Sequence, residues 1–173
     1  VGTKLRNMEI IFRATPKSSG GIHFGSRLVF DLDGYLYITL GERGGKTNAQ
    51  NLQHHGGSVV RINPDGSFPF DNPFLNSRNV LPEIFSYGHR NPQGIAMDSE
   101  TGNVWLHEHG PKGGDEVNIL KAGANYGWPL VTYGKNYNGT LISTETGRPG
   151  IEGPIIYWVP SIAPSGMAFY YGD

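Results

Sequence analysis

Arg27-Leu-Val-Phe-Asp-Leu-Asp-Gly-Tyr-Leu-Tyr-Ile38 reads as a strand, an aspartate turn, a glycine and an aromatic strand. Asp33-Gly34 at its centre is a turn dipeptide of the kind that closes hairpins. Gly94-Ile-Ala-Met-Asp-Ser-Glu-Thr-Gly-Asn-Val-Trp-Leu106 repeats the pattern. A third copy opens at Gly166-Met-Ala-Phe-Tyr-Tyr171 with its first strand only. Leu28, Ile95 and Met167 align, at spacings of 67 and 72 residues. Hairpin units repeated at such intervals, with loops inserted between them, are the pattern of β-propeller blades. The sequence therefore predicts an all-β fold of propeller type. A propeller needs four or more blades to close, so the reading is of one partial propeller domain, residues 1–173, from a longer protein.

The rest of the chain fits that reading. Further strands are expected at Met8–Arg13, Ser58–Ile62, Glu83–Tyr87, Glu116–Leu120 and Ile155–Trp158, and the third copy adds one at Gly166–Tyr171. Gly 26 and Pro 12 make 38 of the 173 residues, beside 9 Tyr, 8 Phe and 3 Trp. Disorder would pair so many turn formers with few aromatics, so this composition points instead to short strands joined by tight turns. No stretch has a sustained 3.6-residue period, which disfavours helical, Rossmann and TIM-barrel folds. Lys and Arg (14) balance Asp and Glu (15), for a net charge of −1 and no basic run, which argues against a nucleic-acid binder. No apolar run is long enough to span a membrane, and no signal-like stretch opens the sequence. The absence of Cys excludes disulfides, thiolate zinc and cysteine catalysis.

Several stretches could carry chemistry. Gly41-Glu-Arg-Gly-Gly-Lys-Thr47 resembles a phosphate-binding loop, but it is one residue short of the required spacing and no helix pattern follows it. It reads better as a glycine-rich loop. His107-Glu-His109 sets two imidazoles on one strand face, a partial zinc pattern without a third ligand at a recognisable spacing. Asp115-Glu116, after Gly-Pro-Lys-Gly-Gly, offers carboxylates beside loop carbonyls, the hard oxygen ligands that calcium takes. His23 lies among Gly20, Gly21 and Gly25, where another molecule can approach the backbone, and a neutral imidazole there suits a general base. Glu42 closes the following hairpin, so strand pairing can bring it beside His23 as the group that orients the base. Arg90, in Tyr87-Gly-His-Arg-Asn-Pro-Gln-Gly94, offers a fixed fork of donors to a carboxylate or quinone oxygen.

Five stretches in order resemble the soluble quinoprotein sugar dehydrogenases, the glucose/sorbosone dehydrogenase family, most closely its aldose sugar dehydrogenase branch. They are His23-Phe-Gly-Ser-Arg-Leu-Val-Phe30, Tyr87–Gly94, Glu108-His-Gly-Pro-Lys-Gly-Gly-Asp-Glu116, Asn125-Tyr-Gly-Trp-Pro129 and Pro160-Ser-Ile-Ala-Pro-Ser-Gly166. The resemblance implies a six-bladed propeller that binds pyrroloquinoline quinone (PQQ) and calcium, with this chain as its middle, about three blades. It implies oxidation of aldoses at C1 to lactones. His23 would take the proton of the anomeric hydroxyl, Glu42 would orient it, and the hydride would pass to the quinone. Arg90, Asn91 and His109 match positions at the cofactor. The carbonyls of Gly110 and Pro111 match ligands of the calcium that also holds PQQ. Glu116 and Tyr126 match ligands of a second, structural calcium. Ile22 stands where the glucose branch has an acid near the sugar, so sugar recognition does not carry over.

The expected partners are an aldose substrate and an electron acceptor, with no nucleic acid and no membrane span. A partial propeller would also expose blade edges through which it could self-associate. The resemblance implies a periplasmic or secreted protein. Two alternatives accompany the enzyme reading: a non-enzymatic binding module resembling hedgehog-interacting protein, and a fragment that is inactive by itself.

Overall fold

Along Leu36–Leu40 and Ser58–Ile62, side chains alternate between two faces, and both faces are buried. These runs are therefore central strands of a covered sheet. The protein is described by a computed structural model for residues 4 and 6–172. Strands β1 (Gly25–Phe30), β2 (Leu36–Leu40), β3 (Ser58–Ile62) and β4 (Ile84–Tyr87) form one antiparallel sheet in that order. Strands β5 (Pro92–Met97), β6 (Val104–Glu108), β7 (Asp115–Ile119) and β8 (Ile156–Trp158) form a second with the same topology. Each is a four-stranded meander, the construction of a propeller blade. The only helical element among the described residues is a 3-10 turn, Lys46–Gln50. None of them forms a helix long and apolar enough to cross a membrane.

Two apolar layers hold the blades. Tyr37, Val59 and Phe85 of the first sheet pack against Ile95, Val104 and Leu106 of the second. On the opposite face of the first sheet, Leu36, Ile38, Val60, Ile62 and Ile84 pack under Phe12, Phe74 and Leu81. Val59, Val60, Ile62 and Ile84 are no more than 1% exposed. Each such aliphatic contributes about 1.5–3 kcal/mol relative to leaving it in water.

The inner strands repeat in detail. β1 bulges against β2 between Gly25 and Leu28, and β5 bulges against β6 between Pro92 and Gly94. β1 lies against β5. Leu28, Ile95 and Met167, the positions aligned by the sequence repeat, line one common cleft together with Arg27, Gln93 and Gly166. That convergence is what inner strands around a propeller axis produce.

Two expected strands are absent. Met8–Arg13 forms no ladder; it is fixed through Phe12, which packs into the first sheet and meets His55 edge-on at 5.1 Å. Gly166–Tyr171 is likewise outside any ladder. It lies over the second sheet, with Phe169 edge-on to Trp105 and the Tyr171 hydroxyl donating to Asp98 Oδ1 at 2.8 Å. Both runs have strand-like side chains, but a strand also needs a hydrogen-bonding neighbour, and neither has one among the described residues.

Candidate active site

The site lies where the chain enters each inner strand. His23 precedes β1 and takes a left-handed conformation, φ 53°. Its Nδ1 hydrogen-bonds Glu42 Oε1. Glu42 is held by its own backbone: its N–H donates to the Arg90 carbonyl at 2.9 Å, and its carbonyl accepts from Asn48 Nδ2 at 3.0 Å. A side chain at Gly41 would run into the His23 carbonyl, so glycine is required where the two loops meet. Glu42 is 1% exposed and His23 16%. With Nδ1 committed to the carboxylate, Nε2 is the nitrogen left for chemistry, the arrangement of a base with its orienter.

A cleft of about 190 Å³ collects His23, Glu42, Arg90 and Pro111, with Ile22 and Trp128 among its walls. Arg90 also borders an adjoining cleft with His109, Gly110, Glu116, Tyr126 and Glu108. Apart from Asn91, the assigned positions thus fall into two pockets that share Arg90. Its Nη1 donates to the carbonyls of His109 (2.8 Å) and Gly110 (3.0 Å). Its guanidinium lies 5.3 Å from the Trp128 ring centroid. Asn91 lines neither cleft. Its Oδ1 ties the loops together, accepting from the Gly25 N–H (3.3 Å) and Gln93 Nε2 (3.0 Å).

The second cleft is suited to a cation. Cross-strand pairing sets Glu108 opposite Glu116 on β6 and β7. Burial, and then the neighbouring Glu108 carboxylate, push the Glu116 carboxyl up from 4.5 to about 8. Two acids crowded in this way gain from a cation between them. A side chain at Gly110 would strike the Gly113–Gly114 backbone, so the loop that presents the Gly110 carbonyl can form only with glycine there. The Tyr126 phenol is committed, donating to the Ile119 carbonyl at 2.6 Å and accepting from the Lys121 N–H at 3.0 Å. Only the Tyr126 carbonyl is left for a metal. Two buried donors, Arg90 Nε and Trp128 Nε1, have no acceptor among the described residues. An anionic, oxygen-rich ligand would satisfy them. The residues present therefore fit both calcium and PQQ.

Asp115 departs from its sequence reading. Of the Asp115-Glu116 pair, only Glu116 faces the cleft. Asp115 Oδ1 accepts from the Gly110 N–H at 2.9 Å, and Oδ2 from Ser161 Oγ (2.7 Å) and the N–H groups of Ile162 and Ala163 (2.8 Å each). Burial works to raise its carboxyl, but these four donors hold it below the usual range. Asp115 is an anchor for two loops. The histidine pair is also divided. His107 and His109 stack on one face, 6.5 Å apart, as strand alternation predicts. However, His109 Nε2 is bound to the Pro164 carbonyl at 2.6 Å, and neither His107 nitrogen has a partner among the described residues. Among those residues, no three His, Asp or Glu side chains converge on one point, so zinc has no support. The glycine-rich loop after β2 carries Glu42 and enters a five-residue 3-10 turn, not the helix that a phosphate loop requires.

Three residues in the site were given no role by sequence pattern. Glu108 accepts from the Arg90 N–H (2.5 Å) and pairs with His89 Nδ1 (2.8 Å). His89 also meets Ser86 Oγ at 2.9 Å and stacks on Tyr126. Trp128 borders both clefts. The one available signal was spacing: His23–Glu42 and His89–Glu108 are both 19 residues apart.

A propeller whose inner-strand loops join a histidine–carboxylate pair to a carbonyl- and acid-lined cleft has the architecture of a quinoprotein sugar dehydrogenase. The family model for Glucose / Sorbosone dehydrogenase matches residues 1–173, and the chain belongs to that family. It is 50% identical over 173 residues to the aldose sugar dehydrogenase YliI of Escherichia coli K12, covering 99% of this chain and 47% of that protein. A crystal structure of glucose dehydrogenase superposes with a TM-score of 0.95 at 49% identity, over 98% of this chain and 50% of that one. The PQQ-bound aldose sugar dehydrogenase of Streptomyces coelicolor superposes at 0.72 with 35% identity, over 92% of this chain and 42% of that one. The chain thus spans about half the length of the relatives it matches.

Proposed function

We propose that this chain is the middle portion of a longer propeller enzyme that oxidises aldoses at C1 to lactones, using PQQ and calcium. The observation that carries the reading is the His23–Glu42 pair opening into a cleft that also holds Arg90. In this reading, neutral His23 accepts the proton of the anomeric hydroxyl at Nε2. Its Nδ1–H stays on Glu42, which fixes the ring and stabilises the imidazolium that forms. The residues that would hold PQQ are Arg90, His109, Gly110 and Pro111, while Asn91 ties the surrounding loops together. The carbonyls of Gly110 and Pro111 would bind one calcium, and Glu116 and Tyr126 a second. When bound, PQQ supplies the two-electron acceptor for the hydrogen leaving C1, and calcium polarises its quinone oxygens. Arg90 brings positive charge to the cleft where negative charge develops.

An electron acceptor completes turnover, and the family resemblance favours a periplasmic or secreted setting. The binding-module alternative would be favoured by loss of His23 or of Arg90-Asn91, and all three are present. Residues 1–173 by themselves expose Leu28, Phe30, Ile155 and Val159, each more than half accessible, so the isolated piece should associate and be inactive. The test is to titrate the full-length protein with PQQ and calcium, following absorbance, and then to add aldoses. Saturable binding followed by sugar-dependent reduction is expected. A protein that binds no PQQ, or binds it and oxidises no aldose, would overturn the proposal.

A further inference from the structure

The cleft over His23 contains a polar group that the proposed reaction does not use. Glu42 is committed to His23, and Arg90 Nη1 to two carbonyls. The same cleft is also lined by Lys46, at the head of the 3-10 turn, and by Asn136. Lys46 Nζ donates to Asn136 Oδ1 at 2.8 Å and lies 5.9 Å from the Trp128 ring centroid. Asn136 in turn donates to Thr140 Oγ1 at 3.0 Å and the Leu141 carbonyl at 3.3 Å. Both of its amide hydrogens are thereby used. The ammonium has three donors, and only one is on Asn136.

A lysine at a surface usually samples many rotamers, but this one is held at both ends. Its turn is tied to the second blade through Gln50, which donates to the Trp128 carbonyl (2.7 Å) and to Asn125 Oδ1 (3.0 Å) and accepts from Asn125 Nδ2 (2.8 Å). Its tip is held by the Asn136 hairpin and the Trp128 face. A cation that shares a cleft with a histidine–carboxylate pair can grip a neutral polyol through hydroxyl oxygens. With His23 assigned to the C1 hydroxyl, the remaining ammonium donors are available to a hydroxyl elsewhere on the ring.

We propose that Lys46 is a specificity-determining residue, donating to a ring hydroxyl of the aldose other than that on C1. This rests on the reading of the site as an aldose dehydrogenase. The test uses the full-length protein loaded with PQQ and calcium, and compares wild type with Lys46→Met on glucose and its 2-, 3- and 4-deoxy analogues. Removing a hydrogen bond from a charged donor should lower kcat/KM for glucose about 10- to 100-fold, mainly through KM. For one deoxy analogue the two proteins should differ by less than about threefold, because the hydroxyl that Lys46 grips is already gone. Lys46→Arg, which keeps a donor, should recover part of the loss. An unchanged KM in Lys46→Met, or the same loss on all four sugars, overturns the inference and leaves the proposed function standing. A wild-type protein inactive on every aldose overturns both.

Discussion

The two blades carry the same device with opposite settings. In the first, His23 pairs with Glu42 and keeps one ring nitrogen for a cleft. In the second, His89 pairs with Glu108 at the same spacing of 19 residues, but both its nitrogens are bonded, its ring is stacked on Tyr126, and it is fully buried. Glu108 spends its second oxygen on the Arg90 N–H. One pair is left open at a cost in burial and is the pair proposed to move a proton. The other is closed and fixes the loop that aims Arg90. The difference shows that a histidine–carboxylate pair acquires its role from its remaining bonds.

That contrast can be broken by mutation. Glu108→Ala should cost about 3–5 kcal/mol, because it leaves His89 Nδ1 and the Arg90 N–H buried without a partner. Urea unfolding of the full-length protein would measure the loss. A change below about 1 kcal/mol would mean the closed pair is not structural. Asp115→Ala removes the acceptor of four donors and should cost about 2–4 kcal/mol by the same logic. It should also weaken calcium binding, since the Gly110 loop loses its anchor, and calorimetry would read both effects.

Acid crowding in the second blade gives a pH test. The Glu116 carboxyl is raised in the folded state from 4.5 to about 8. A raised folded pKa contributes stability that is full below about pH 4.5 and is lost as pH rises through about 8. In chelator, Tm should therefore fall between pH 5 and 8.5. Calcium or Glu116→Gln should flatten that slope, and an equal slope in wild type and variant would remove Glu116 as its source. The smallest stability effect is expected in the open pair. Glu42→Gln keeps an acceptor for the His23 ring, so Tm should move by only a few degrees while kcat drops roughly tenfold or more.

The sequence was informative where information was local or periodic. The alignment of Leu28, Ile95 and Met167 as openings of repeated strands holds for the first two, in β1 and β5, and all three residues line one cleft. Glu42 could be placed beside His23 because a single hairpin joins them. Asp115 was misread because three of its four partners lie 46 to 48 residues away, in a loop whose path no local pattern encodes. Glu108 was quoted in a motif but given no role, since its importance depends on the register that sets it opposite Glu116. Met8–Arg13 misled because side-chain pattern does not reveal whether a neighbouring strand exists.

The central claim is that the open pair is the base. The most direct measurement mixes the full-length protein, loaded with PQQ and calcium, with excess aldose in the absence of any electron acceptor, and follows the cofactor's absorbance through a single turnover. His23→Ala should bind PQQ as tightly as wild type yet show sugar-dependent reduction slowed by about 10²–10⁴-fold, the usual share of a general base. Reduction at the wild-type rate by a fully loaded His23→Ala protein would contradict the account.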